Sequence, residues 1–328
     1  MGKLLWSPSA ERVKASNLSR FMAFVNDRHG LRLGDYGGLW SWSVERVGDF
    51  WAALWDFSGV TASRRWDEVI DDPGRMPGAR WFSGARLNFA ENLLRYRDRE
   101  TALIFKGEGQ PVRRVTYAGL YDEVARLAKA LSGMGVVPGD RVAGFVPNMP
   151  EAVTAMLAAA SLGALWSSCS PDFGIKGVLD RFGQIRPKVL FVADGYFFKG
   201  KKLDSLSRAA EIVRAIPSVE KVVVIPYTEQ KPGIGNLPNA VHYHEFLAPG
   251  KGLEIPFAQL PFDHPLYIMF TSGTTGLPKC MVQSAGGILL HHLKELVLNT
   301  DLKRSDTIFY FTTCGWMMWN WLVSSLAV

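Results

Sequence analysis

The passage over residues 266–298 from a short apolar run, through a loop rich in hydroxyls and glycine, to a segment of helical spacing most constrains how this chain folds. Residues 266–270, Leu-Tyr-Ile-Met-Phe, are apolar and β-prone and read as a buried strand. The loop Thr-Ser-Gly-Thr-Thr-Gly-Leu-Pro-Lys at 271–279 then places hydroxyls at Thr271, Ser272, Thr274 and Thr275, glycines at Gly273 and Gly276, and a cation at Lys279 behind Pro278. Hydroxyl donors beside backbone N–H groups that glycine leaves open are what a polyphosphate requires, so the loop reads as an anion cradle. Residues 284–298 follow with apolar positions at helical spacing. Strand, loop and helix in that order belong in an α/β sheet, whose ligands gather at the carboxyl ends of strands.

The preceding sequence alternates in the same way. Strands are expected at 101–106, 112–116, 141–146, 164–168, 188–193 and 221–225, and helices at 117–134 and 149–162. In the first helix Leu120, Val124, Leu127, Ala128 and Leu131 share one face, and Gly135 marks its stop. The alternation predicts a mostly parallel sheet with helices on both faces. Residues 307–313 also read as a strand. Upstream the character differs: seven of the eleven tryptophans lie at or before Trp81, and Phe50, Trp51, Leu54, Trp55 and Phe57 recur at helical spacing. The expected division is an aromatic-rich helical subdomain over 1–98 and an α/β domain over 99–328.

Charge and composition exclude several classes. The net charge is +6, yet no dense Lys/Arg run marks a nucleic-acid-binding tail. The uncharged run 152–171 is alanine-rich and broken by Gly163 and a serine cluster, so it reads as a buried helix and strand rather than a membrane span. Pro8 and Glu11 leave no signal-peptide core, and Trp6 breaks the myristoylation pattern. The cysteines Cys169, Cys280 and Cys314 have neither disulfide nor zinc spacing, which predicts a cytoplasmic, reducing setting. His242, His244, His291 and His292 lack the i, i+4 spacing of a helical metal site, and no metal site is assigned.

The loop fails the Walker A template, because only Leu277 and Pro278 separate Gly276 from Lys279 and Cys280 follows. It instead matches every specified position of Thr-Ser-Gly-(Ser/Thr)-Thr-Gly-x-Pro-Lys, and so resembles the signature of the adenylate-forming enzymes: acyl-CoA synthetases, peptide-synthetase adenylation domains and luciferases. Within that superfamily the segments 5–12, 16–22, 81–94, 279–287 and 314–323 are similar to the acetoacetyl-CoA synthetase branch. Cys280 stands where most of the superfamily has Gly. Gln283 stands where the branch leads one to expect His, so any proton-carrying role there is lost.

The resemblance implies ATP-dependent activation of acetoacetate to acetoacetyl-AMP and transfer to CoA, with ATP, Mg²⁺ and CoA as co-substrates. It implies that Thr271, Ser272, Thr274 and Thr275 donate to the ATP phosphates, that Gly273 and Gly276 admit them, and that Lys279 anchors the loop, with Thr274 and Lys279 as catalytic residues. Trp316, Met317, Met318 and Asn320 are expected beside the acyl group, the alternative being a Trp/Met-rich helix start packed into the core. Lys199, Lys201 and Lys202 are expected near CoA phosphates, or else form a solvated cluster. Acetate and propionate are the rival acids. Residues 316–328 are uncharged and apolar or small, which predicts a helix running into the core. The fold class expected is therefore the N-terminal portion of the adenylate-forming fold, the C-terminal part of the fold being missing. A non-catalytic remnant that keeps the phosphate loop is the second reading.

Overall fold

The computed structural model describes residues 2–3, 5–271 and 276–328. Its centre is a sheet of seven strands: β1 (Arg141–Phe145), β2 (Leu165–Cys169), β3 (Val189–Ala193), β4 (Lys221–Ile225), β5 (Ala240–His242), β6 (Pro265–Phe270) and β7 (Cys280–Ser284). They lie in the order β5-β4-β3-β1-β2-β6-β7. Neighbours from β5 to β6 are parallel, and only β6 and β7 run antiparallel. The carboxyl ends of β1 to β6 therefore share one edge, as the alternation predicts.

These runs are apolar on both sides because both faces of the sheet are covered. In β4, Val222 and Val224 pack with the helices Ile175–Ile185 and Leu206–Ala215, whereas Val223 and Ile225 face the helices Tyr117–Gly133, Pro150–Ser161 and Ala285–Leu293. The helix Pro150–Ser161 starts on a proline at its first turn and buries every residue from Ala152 onward, which accounts for the uncharged run without a membrane. Thr116 caps the helix Tyr117–Gly133, its hydroxyl oxygen accepting from the Gly119 N–H at 3.0 Å. Gly144 in β1 has no room for a side chain, since a Cβ would lie 2.8 Å from the Trp166 ring. Among the described residues no helix is long and apolar enough to cross a membrane.

The aromatic N-terminal region forms four helices, Ala10–Ala15, Asn17–His29, Tyr36–Glu45 and Val47–Phe57. Phe21 packs edge-on against Phe50 and Phe57 at centroid distances of 5.8 and 5.2 Å. Trp55 stacks on Phe82 at 5.0 Å, and Phe82 packs on Phe262 at 4.7 Å, which carries the aromatic cluster into the main core. Two asparagines complete that junction. Asn88 Nδ2 donates to the carbonyls of Ala160, Ser161 and Ala258, while its Oδ1 caps the helix Phe89–Leu93 at the Glu91 N–H. Asn92 exchanges hydrogen bonds with the Thr61 backbone.

Two expectations need correction. Residues 307–313 form no strand, and Phe309 and Phe311 are 81% and 89% exposed. A β-prone run makes a strand only where a neighbour takes its backbone hydrogen bonds, and no neighbour stands there among the described residues. The helix expected over 284–298 is α-helical only over Ala285–Leu293 and continues as a π-helical turn, Lys294–Asn299, which seats Leu298 in the N-terminal aromatic cluster. The terminal segment behaves as expected: the helix Met317–Val323 leads into a 3₁₀ turn with Leu326 and Ala327 buried.

Candidate active site

β6 delivers the chain to the hydroxyl-rich loop at the carboxyl edge of the sheet, and β7 takes it away. The Thr271 N–H donates to the Lys279 carbonyl at 3.1 Å, and the Lys279 N–H donates back to Thr271 Oγ1 at 3.3 Å. With Phe270 opposite Cys280 in the ladder, the two limbs are held together at their base. Gln184 Nε2 donates to the Pro278 carbonyl at 2.9 Å and ties the outgoing limb to the helix Ile175–Ile185. Gly276 has φ +84, a conformation that favours glycine. The Lys279 side chain is exposed. Ser272, Gly273, Thr274 and Thr275 lie outside the described residues.

Beside the base of the loop, between the ends of β2 and β6, is a cavity of about 290 Å³ with mostly apolar walls that include Trp166, Ile268, Phe270 and Trp316. Hydrogen bonds draw residues 314–320 over it. Ser168 Oγ accepts from Trp166 Nε1 at 3.2 Å and donates to the Cys314 carbonyl at 2.6 Å. The Cys314 thiol donates to the Val146 carbonyl at 2.9 Å, and Trp319 Nε1 donates to Asn148 Oδ1 at 2.9 Å. Burial pushes the Cys314 thiol up to about 12, and burial followed by the neighbouring Cys314 pushes Cys169 up as well. Both cysteines are thus uncharged wall residues rather than nucleophiles.

Asn320 is 3% exposed and lines the same cavity. Among the described residues its Nδ2 has only the Met269 sulfur at 3.3 Å, a weak acceptor, and its Oδ1 has no partner. A relay fixes its backbone: Ser324 Oγ donates to the Asn320 carbonyl at 3.1 Å, so it must accept from His292 Nδ1 at 2.8 Å. That leaves His292 Nε2 bare and without a partner among the described residues, and burial, followed by the neighbouring His291, pushes this imidazole down to about 3. Of the four residues expected beside the acyl group, Trp316 and Asn320 line the cavity. Met317 and Met318 share the helix Met317–Val323 but stand outside the lining. Gln283, on β7 opposite Tyr267, has a buried Oε1 without a partner among the described residues.

The three lysines lie elsewhere on the same edge. The strands Gly195–Phe198 and Lys201–Asp204 form a hairpin after β3, turned by Lys199 and Gly200 at φ 51 and 76. Lys199 Nζ lies over the Phe198 ring at 5.4 Å, Lys202 pairs with Glu229, and the Gly200 N–H donates to Glu108. Lys202 lines a separate polar groove of about 470 Å³ with Asp194, Asp204 and Thr228. Two residues at the site escaped the sequence reading. Arg181 and Gln184 are single polar positions on an amphipathic helix, and only the folding of that helix under β2 and β6 turns them toward the loop and cavity.

The AMP-binding enzyme family matches residues 89–327, and the acetyl-coenzyme A synthetase N-terminus matches residues 36–93. The chain is 49% identical to acetoacetyl-CoA synthetase of Rattus norvegicus over 99% of its own length and 49% of that protein. It is 41% identical to malonamoyl-CoA synthetase vrtB of Penicillium aethiopicum, over 99% of the chain and 46% of that protein. The solved acetoacetyl-CoA synthetase from Streptomyces lividans superposes with a TM-score of 0.94 at 44% identity, covering 99% of this chain and 50% of that one. The chain thus spans about half the length of the relatives it matches. With its loop, sheet and N-terminal region all accounted for in this way, the chain belongs to the AMP-binding enzyme family.

Proposed function

We propose that this chain supplies the phosphate loop and acyl cavity of an ATP-dependent acid:CoA ligase that acts on acetoacetate in the cytosol. The observation that carries the reading is the loop pinned at Thr271 and Lys279 beside a small, largely apolar cavity. A carboxylate is a poor acceptor for a thiol, because oxide would have to leave. In the first step a carboxylate oxygen attacks the α-phosphorus of ATP bound as its magnesium complex, the α–β P–O bond breaks, and pyrophosphate departs. In the second the CoA thiolate attacks the acyl carbon and AMP leaves, the thiol proton passing to solvent.

The loop's part is to hold the β- and γ-phosphates in line and offset the charge growing on pyrophosphate. Thr271, Ser272, Thr274 and Thr275 donate, Gly273 and Gly276 admit the oxygens, and Lys279 anchors. Trp316 and Asn320 wall the acyl group, while Met317 and Met318 stand outside the cavity lining. Lys199, Lys201 and Lys202 meet the CoA phosphates, Lys202 exchanging its pairing with Glu229 for the ligand. The cavity's volume is at the lower edge of small-molecule sites and suits a short acid. Relatives named for acetoacetyl-CoA and malonamoyl-CoA both make thioesters of acids with a carbonyl β to the carboxylate.

The test is exchange of labelled pyrophosphate into ATP, measured with acetoacetate, acetate and propionate, for the 328-residue chain and for a polypeptide of the relatives' length. Exchange that depends on acetoacetate supports the reading, and equal exchange with acetate or propionate reassigns the acid. Because the chain spans half of its relatives, a non-catalytic remnant is the second reading, and it gains if neither polypeptide exchanges.

A further inference from the structure

The helix Ile175–Ile185 buries Val178, Phe182 and Ile185 against the sheet, and its end is tied to β1. Arg141 Nε donates to the Ile185 carbonyl at 2.7 Å, and Arg141 Nη2 donates to the Arg186 carbonyl at 3.1 Å. These bonds take up carbonyls that the end of a helix otherwise leaves open, so the turn that carries Gln184 is a fixed base.

From that base the Gln184 side chain meets the outgoing limb of the hydroxyl-rich loop with both ends of its amide. Two carbonyls face one end, Asp180 at 2.5 Å and Pro278 at 2.9 Å. Only the NH₂ group can donate to both, which turns Oε1 toward the Cys280 thiol at 3.8 Å. Pro278 and Cys280 stand on either side of Lys279, whose own N–H and carbonyl are both taken by Thr271. The backbone at Lys279 is therefore held by Thr271 on one side and by Gln184 on the other, while its side chain is exposed.

We infer that Gln184 is a positioning residue for the phosphate loop, holding residues 278–280 so that Lys279 meets the phosphates of the nucleotide from a limb that is already ordered. The inference rests on the ligase reading above and deepens it. Glutamine suits the task because its NH₂ group has one hydrogen for each carbonyl. Glutamate has the same length but sets an acceptor against both carbonyls, and methionine keeps the shape without a donor. With either one, the ligand itself has to order the limb, and the cost falls on its affinity.

The experiment is calorimetric titration of the 328-residue chain with magnesium ATP. Alkylation of Cys280 by iodoacetamide is the second readout, Cys280 being the one exposed thiol of three. Gln184→Met should weaken ATP by about 2- to 12-fold, the range of one net hydrogen bond, and Gln184→Glu should weaken it at least as much. Alkylation should run faster in Gln184→Met, where the thiol loses its acceptor, and slower in Gln184→Glu, where a carboxylate repels the thiolate. Gln184 is exposed, so both variants should keep the native urea midpoint. In a polypeptide that carries out pyrophosphate exchange, the half-saturating concentration of ATP should rise and that of acetoacetate should not, a split that a general loss of structure would not produce. If the native chain binds ATP and both variants bind it equally well, or if Cys280 reacts at the native rate in both, the inference is wrong and the ligase reading stands. If the native chain binds no ATP, both fall.

Discussion

Thr271 and Lys279 lie eight residues apart in sequence and are joined by two reciprocal hydrogen bonds, one from each backbone N–H. The glycine-rich loop is thus closed at its base by the same threonine and lysine that open and end its motif. Closure holds the two limbs of the loop together at the sheet edge, and a loop tied at its base loses less entropy when a ligand orders it.

Loss of the Thr271 hydroxyl removes one of the two closing bonds. In a polypeptide that carries out the exchange reaction, Thr271→Ala should slow acetoacetate-dependent exchange of pyrophosphate into ATP, and Thr271→Ser should restore it. Removing Thr274 or Lys279 should slow the same exchange by roughly 10-fold to 1,000-fold, by analogy with other phosphate-stabilising groups. Exchange unchanged in Thr274→Ala would refute its donor role.

Asn88 is 1% exposed; its Nδ2 lies within hydrogen-bond reach of the carbonyls of Ala160, Ser161 and Ala258 and its Oδ1 caps the helix Phe89–Leu93, so it ties that helix to the end of the helix Pro150–Ser161 and to Ala258. Asn88→Ala should destabilise the chain by about 2–4 kcal/mol, since several buried acceptors lose their donor at once. Urea unfolding measures this, and a midpoint within error of the native value would rule out the bridging role.

Gly144 makes room for the Trp166 indole, with 2.8 Å between an added Cβ and the ring. Gly144→Ala should cost about 1–3 kcal/mol through overpacking and should shift Trp166, a wall of the cavity between the ends of β2 and β6. The second effect should appear as altered tryptophan emission in the folded protein, and native emission together with native stability would contradict the packing described.

His292 titrates at about 3 when folded and near its ordinary 6.5 when unfolded, because burial and then His291 disfavour its charge. The unfolded chain therefore binds more protons between these values, so this group's stabilising contribution is complete above about 6.5 and is lost as the pH falls toward 3. Urea midpoints followed from pH 7.5 to 5 should fall more steeply for the native chain than for His292→Gln. Parallel curves would exclude His292 as the source.

Much of the fold is legible in the residue order because its physics is local. The strand 221–225 is found at its expected limits, and the helix expected over 117–134 ends one residue early, since period-2 and period-3.6 burial and the Thr116 cap act over a few residues. The motif at 271–279 is legible for the same reason, as its donors and glycines are consecutive. Local order could not determine what depends on distant neighbours. Residues 307–313 are β-prone yet have no partner for their backbone among the described residues, so they form no strand. Lys199, Lys201 and Lys202 resemble one basic cluster, but the hairpin and the Glu229 pairing give each a different setting. Arg181, Ser168 and Asn320 are 13 to 152 residues apart, and nothing in their local sequence links them. The residue order by itself determined most of the elements and the hydroxyl- and glycine-rich motif at 271–279, whereas the cavity beside that motif exists only because the tertiary structure brings β2, β6 and the helices Ile175–Ile185 and Met317–Val323 together at one edge of the sheet.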